Sequence, residues 1–499
     1  MNRNIIDRAI QAVSPGTAER RFRSRLRIEY MARKFDGASV SRHTEGWYSP
    51  STSTNVEIHG ALIKLRNRSR ELERNNEYAK NALRVIPNNV VGTGIIPTFR
   101  VAGKGMPDKV KARWKEWAES TKCDYDQRVN FYGLQHLVMK AVQRDGECLV
   151  IKRPAPSGYK IPYRLQVLEA DYIDTSRYEQ QTREGGMIWY GIEFDKNGVR
   201  KGYWLWDRHP GEFASFSRFV PADKVIHVYE VERPGQVRGV PFCHASMIRM
   251  NDLADYEFAE RIRAKVAAAF TAFVTEDDSA DPIGSREEYE KMEPGTIQKL
   301  YPGESITFSN PPITNGYADF TNNNLHAIAA GIGGTYANIT GDVSKSNFSS
   351  SRMGWIEFSR NVQHWQFNVL VPTLCTTVFE WFLDGAILKG YFSDKIDVSV
   401  SWTPPRREMI DPYKETQAQL AAVRAGFTSQ SEVIRENGNN PEEVYAEMAD
   451  DAERQKKLGL FPDCNPEFDA NRITPDPELL EDEKGDAKDN SADKSAKKK

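Results

Sequence analysis

Long apolar runs are missing: no stretch of about 18 apolar residues occurs in the 499, so no membrane-crossing helix and no membrane partner is expected. The opening MNRNIIDRAIQAV lacks the apolar centre of a secretory signal, which makes a cytosolic product the expectation. Cysteine is scarce. Cys123, Cys148, Cys243, Cys375 and Cys464 form no CxxC pair and have no histidine at zinc spacing, which argues against a disulfide framework or a structural metal and for reduced, mostly buried thiols. An excess of either charge is also missing. With 68 Lys and Arg against 70 Asp and Glu, the net charge is -2, unlike a protein that grips nucleic acid tightly but compatible with one that DNA slides past.

The chemistry-bearing motifs are absent as well. No glycine-rich stretch ends in Gly-Lys-Ser or Gly-Lys-Thr, so an ATP-driven motor is not expected in this chain. Gly92-Thr-Gly94 and Gly331-Ile-Gly333-Gly334 read as turns and not as dinucleotide loops. The eight histidines form neither HExxH nor a partner to a G-x-S-x-G elbow, and His227 and His364 read as packing residues. Asp277, Asp278 and Asp281, like Asp450 and Asp451, lack the framing apolar strands a nuclease metal site would use and read as solvated acidic surface. No catalytic residue, metal or cofactor is expected.

What is present is an order of elements, too long for one core. Residues 1–59 read as a mobile arm with the basic cluster Arg20, Arg21, Arg23, Arg25 and Arg27. Over 60–242, helical stretches (Leu62, Leu65, Leu72, Ala79 and Leu83 on one face; then Trp114, Trp117, Phe131, Leu134, Leu137 and Val138) precede short strands, giving a mixed α/β domain. A long helix is expected to end at 275, with Leu253, Tyr256, Ala259, Ile262, Val266, Phe270 and Phe273 as one apolar stripe. A small insert, 276–318, leads to a second helix, 319–333, then a Gly- and Ser-rich loop, 334–351. A long aromatic helix follows, which Pro372 is expected to kink or divide. Three short helices over 411–464 are capped by Thr428 or Ser429 and by Asn440 before Pro441, and 465–499 reads as disordered.

Arg70-Glu-Leu-Glu-Arg-Asn-Asn76, Asn88-Asn-Val-Val-Gly-Thr-Gly94, Leu168-Glu-Ala-Asp171, Gly191-Ile-Glu-Phe-Asp195, Arg233-Pro-Gly-Gln-Val-Arg-Gly-Val-Pro241 and Gly341-Asp-Val-Ser344 leading to Ser349-Ser-Ser-Arg352 follow one another over 60–450. In this succession the chain resembles the lambda-type family of phage portal proteins. The resemblance implies an α+β portal fold: a wing over 60–242, a first stem helix over 243–275, a clip over 276–318, a second stem helix over 319–333, a tunnel loop over 334–351, a long wing helix with its return over 352–410 and a helical crown over 411–464. It further implies a dodecameric ring at one capsid vertex of the virion, assembled in the host cytoplasm. The implied partners are the terminase large subunit, the major capsid protein, head-completion and tail adaptors, and double-stranded DNA held transiently without sequence specificity.

Within that frame the candidate residues are few. Ser344, Lys345, Ser346, Asn347 and Phe348 of the tunnel loop are expected beside the DNA, with Lys345 nearest its backbone. Glu257, Arg261 and Lys265 are expected either to line the stem or only to pair along their helix at i, i+4 spacing. Arg286, Glu287, Glu288 and Glu293 of the clip are expected to dock the terminase. Two rival readings share the lack of motifs: a scaffolding or capsid-adaptor protein without a channel, and a metal-dependent nuclease.

Overall fold

The computed structural model describes residues 16, 50–101, 106–213, 216–268, 272–276, 304–308, 316–344, 348–393, 396–406, 409 and 411–459. The expected N-terminal basic cluster, most of the insert and the C-terminal tail lie outside them. The chain divides into two compact units, Met1–Glu57 and Ile58–Lys499. In the first, the Ser53 carbonyl accepts from the amides of Val56 and Glu57 and opens a helix. The cores and sheets lie in the second.

Helices α1 (Thr54–Asn75) and α2 (Glu77–Val90) meet at Asn76, whose side chain accepts from the Ala79 amide 2.9 Å away and caps α2. Leu62, Leu72, Ala79 and Leu83 are buried and Leu65 is partly so, as their spacing requires. Strand β1 (Ile96–Val101), α3 (Met106–Ala118) and α4 (Phe131–Asp145) follow. Trp114 is the hub of the main core: its ring meets the edges or faces of Phe131, Phe379, Phe382 and Trp402 at centroid distances of 5.1 to 6.1 Å. Leu137, one of the apolar residues that marked this helix, lies on the exposed face of α4.

Strands β2 (Glu147–Pro154), β3 (Tyr163–Glu169) and β8 (Val225–Tyr229) form an antiparallel sheet in the order β3-β2-β8. A second sheet runs β4 (Met187–Trp189), β5 (Ile192–Phe194), β6 (Arg200–Trp206) and β7 (Ser217–Pro221). Because side chains alternate along a strand, β2 serves two cores: Cys148 and Val150 face the helices, Leu149 and Ile151 the second sheet. The fold is α+β.

At the turn from α4 to β2, charge is buried. Gly146, at φ +89°, passes so close to Val240 that a Cβ would stand 2.4 Å from its carbonyl carbon. Beside it the fully buried Glu147 carboxylate accepts from Arg66 Nη2 at 2.8 Å, Arg238 Nε at 2.8 Å, His227 Nε2 at 2.9 Å and the Gly239 amide at 3.1 Å. Asp145 binds Arg70 and Arg144, and Arg70 reaches on to Asp171 at 2.7 Å. His227, expected to be a packing residue, is instead a ligand of this carboxylate.

Helices α5 (Met247–Ala268) and α6 (Tyr317–Ile332) flank two short strands, β9 (Ala272–Glu276) and β10 (Glu304–Phe308), paired antiparallel. The helix expected to reach 275 is thus described to Ala268, and 272–276 is strand instead. The sequence AFVTE is rich in β-branched and aromatic residues, and a partner strand settles its conformation. A five-residue helix, α7 (Tyr336–Thr340), interrupts the expected loop, and the long helix begins at Phe348, not 352.

That long helix runs unbroken through α8 (Phe348–His364), a π-helical segment (Trp365–Cys375) and α9 (Thr376–Leu388). Pro372 does not divide it: the ladder widens to i→i+5, with the Thr376 amide donating to the Val371 carbonyl, while the Thr376 hydroxyl reaches the same carbonyl at 2.9 Å. By length and hydropathy Ser350–Leu388 matches a membrane-crossing helix, but half of its most apolar window is buried in the main core. Strand β11 (Val398–Thr403) returns to pair with β1. The last helices, α10 (Pro412–Arg424), α11 (Gln430–Glu436) and α12 (Pro441–Leu458), are capped by Asp411, Ser429 and Asn440. Cys123, Cys148, Cys243 and Cys375 are free thiols; Cys464 lies outside the described residues.

Burial alone would raise the Glu147 carboxyl, but Arg238 and His227 hold it well below the usual carboxylate range. Burial pushes His227 down to about 4, and its Nδ1 has no partner among the described residues. The unfolded chain therefore takes up a proton between pH 6.5 and 4 that the folded chain refuses, so stability falls as pH drops through that window. Below it Glu147 adds its own loss, as protonation removes a carboxylate that folding favours. We expect the free energy of unfolding to fall with acidification by about 3 kcal/mol across the window from His227 alone. In a urea titration His227→Gln, which keeps a donor toward Glu147, should flatten that slope; an unchanged slope would assign it elsewhere.

Candidate channel elements

Helices α5 and α6 pack antiparallel. Arg249 Nη1 donates to Asn324 Oδ1 at 3.1 Å near one end, and near the other Tyr256 meets Phe320 and Tyr317 at 4.7 and 5.8 Å between ring centroids. Gly331 leaves room for the Ser246 hydroxyl, since a Cβ there would stand 2.1 Å from its Oγ in the present rotamer. Met247, Met250 and Leu253 join Leu325, Ile328 and Ile332 in the main core and root the pair. At the far end β9 and β10 continue the two chains side by side, so the pair brackets residues 277–303. Arg286, Glu287, Glu288 and Glu293 fall in that bracket and lie outside the described residues.

The expected single apolar stripe on α5 divides. Leu253 is buried, whereas Ile248, Phe258 and Ile262 are exposed on the opposite face. One neighbouring helix covers only one face, so the rest stay open. Glu257 is half-buried and accepts from the Tyr78 hydroxyl at 3.4 Å; burial raises its carboxyl above the usual range, and burial with the Glu257 charge pushes Tyr78 up to about 12. Arg261 and Lys265 are exposed one and two turns farther along the same flank. Arg263 pairs instead with Glu260, at 2.7 Å.

The loop after α6 is less free than its glycine and serine content implies. The Gly333 carbonyl accepts from Asn361 Nδ2 at 3.0 Å, Tyr336 stacks on His326 at 4.5 Å and donates to Asn322 at 3.1 Å, and Asn81 Nδ2 donates to the carbonyls of Asn338 and Ile339 at 2.9 and 2.8 Å. Ser344 is exposed, its amide bound to Asp342 Oδ1 at 2.9 Å. Lys345, Ser346 and Asn347 lie outside the described residues, and Phe348 is the first residue of α8. Sequence reasoning missed the tethers Asn81 and Asn361, since a lone asparagine on a helix carries no signal of its partner. His364, expected to pack, is half-exposed and faces Glu230 at 3.2 Å.

Glu169, Asp171 and His209 bring three possible metal donors together. Both carboxylates are already claimed by guanidinium groups, Glu169 by Arg144 at 2.8 Å and Asp171 by Arg70 and Arg66. A cation there would displace ion pairs already made.

Comparison with known proteins finds relatives over most of the chain. The chain is 27% identical over 480 residues to a probable portal protein of Halomonas phage phiHAP-1, covering 89% of this chain and 91% of that one. It is 23% identical over 495 residues to portal protein B of Escherichia phage lambda, covering 87% and 92%. Among solved structures, a chain from the virion of a native gene transfer agent particle aligns with a TM-score of 0.46 at 14% identity, over 81% of this chain and 94% of that one. Both phage relatives are named as portal proteins and neither as an enzyme, and the nuclease reading falls with them. Since the profile of the phage portal protein, lambda family, matches residues 40–366, well over half of the sequence, the chain belongs to the lambda family of phage portal proteins.

Proposed function

We propose that this portal protein assembles as a dodecameric ring whose bore carries double-stranded DNA into the capsid during packaging and out of it at ejection. In this reading α5 and α6 are the stem, the segment they bracket is the clip, the loop between α6 and α8 is the tunnel loop, and α10 to α12 are the crown. The antiparallel pair α5 and α6, with the paired strands β9 and β10 between them in the sequence, supports the reading, because it sets two rods side by side.

The charge on α5 suits a conduit. Arg249, Arg261, Arg263 and Lys265 balance Asp252, Asp255, Glu257 and Glu260. The helix is about 33 Å long, and duplex DNA presents roughly 20 phosphates over that length. A wall with an uncompensated arginine in every copy would hold them, whereas a neutral one lets the strand move. Lys345, flanked by Ser344, Ser346 and Asn347, supplies a transient phosphate contact. Arg286, Glu287, Glu288 and Glu293 supply charge for docking the packaging terminase, and head-completion proteins take the same face later. The major capsid protein surrounds the ring.

Negative-stain electron microscopy of the purified chain should give rings with a bore that admits duplex DNA; rings without a bore would favour a scaffolding or adaptor role. Lys345→Ala should lower packaged or retained DNA severalfold with ring assembly intact, and wild-type packaging would remove Lys345 from the channel. Arg286→Glu or Glu288→Lys should weaken pull-down of the terminase large subunit, and unchanged capture would place the docking surface elsewhere.

A further inference from the structure

Between 411 and 459 a single described side chain, Pro441, is buried. The segment is nevertheless three well-capped helices, and it carries large apolar groups in the open: Phe427 is 87% exposed, Leu458 72% and Met448 44%, with Tyr445 beside them. From Tyr445 to Gly459 every residue except Gln455 is exposed. A helical stretch of about 15 residues is marginal in water without a packed face; among the described residues α12 has little more than the Ser431–Tyr445 hydroxyl contact at 3.3 Å and the Glu443–Lys111 pair to hold it.

Its charges indicate what surface would hold it. The first eleven residues of α12 carry Glu442, Glu443, Glu447, Asp450 and Asp451 and no base, while the last seven carry Arg454, Lys456 and Lys457 against Glu453. Glu443 is tied to Lys111 in the body of the chain, which fixes the acidic end in place. Acid first and base last also suits the helix dipole, at about 0.3–1 kcal/mol per charge, but that leaves Tyr445, Met448 and Leu458 uncovered. A helix acidic at one end and basic at the other matches its own copy placed head to tail, the arrangement that closes into a ring.

We propose that α12 docks on the α12 of the neighbouring copy, the acidic half of one against the basic end of the next, and that this contact buries Tyr445, Met448 and Leu458 and orders the last helix. The proposal rests on the ring reading. Asp450 and Asp451 stand five or more residues from Lys456 and Lys457, beyond the i, i+4 reach of pairing within one helix, so a charge exchange between the two sites reports on contacts between copies.

Hydrogen exchange of the full chain, compared between rings and the unassembled fraction, tests it. Amides of residues 444–458 should exchange about tenfold or more slowly in the ring. The pair Asp450→Lys with Asp451→Lys should remove that protection, as should Lys456→Glu with Lys457→Glu. All four together should restore it, although they oppose the helix dipole. Equal exchange in ring and free chain, or four changes no better than two, overturns the proposal while the ring stands. A wild-type chain that forms no ring overturns the ring reading and this one together.

Discussion

Three separate stretches of the chain depend on one buried carboxylate. Glu147 is fully enclosed, and a charge in that position costs several kcal/mol unless its partners arrive with good geometry. They come from α1 through Arg66, from β8 through His227, and from the turn before α5 through Arg238 and the Gly239 amide. The angle at which the chain leaves the sheet to enter α5 is therefore set by groups that must reach Glu147. Removing Arg238 would take away the guanidinium that meets both carboxylate oxygens and leave Arg66 as the remaining cation, a loss of up to about 3–5 kcal/mol. A hydrophobic joint of the same size would slide more readily, since burial of apolar area has no preferred direction.

From that joint the molecule becomes steadily less enclosed. The roots of α5 and α6 lie in the main core, their middles are covered on one face only, and α10 to α12 are almost uncovered. Such a gradient makes little sense for a chain that ends at its own surface. It fits a subunit whose cohesion is divided, with the β2 sheet and the Trp114 cluster holding each copy together and the outlying helices left for contacts between copies. The exposed Ile248, Phe258 and Ile262 on α5 belong to the same pattern.

Much of this was legible in the sequence because helix periodicity, caps and turn residues act locally. Ser429 and Asn440 cap the helices they were expected to cap, and the apolar spacing of α1 and α2 marks their buried face. Long-range partners were not legible. AFVTE reads as the end of a helix until β10 is known to lie beside it, and Pro372 reads as a break until the π-helical ladder around it is seen. The buried charges illustrate both sides: Arg70, Asp171 and Arg238 sit in stretches that carry the family resemblance, yet nothing in their spacing states that all of them converge on the turn between α4 and β2. The loop residues Lys345, Ser346 and Asn347 and the clip residues remain readings of sequence, since they lie outside the described structure.

The tethers around the loop sharpen what that loop can do. Asn81, Asn361 and Tyr336 tie the chain up to about Thr340, and α8 takes over at Phe348, so most of the expected loop 334–351 is tethered or helical among the described residues. Its C-terminal anchor is the long helix, whose π-helical segment presses Trp365, Val369 and Leu370 into the main core. In the proposed conduit, a force applied at the loop would be borne by a rod seated in the main core, where a bore that carries moving DNA would need its support.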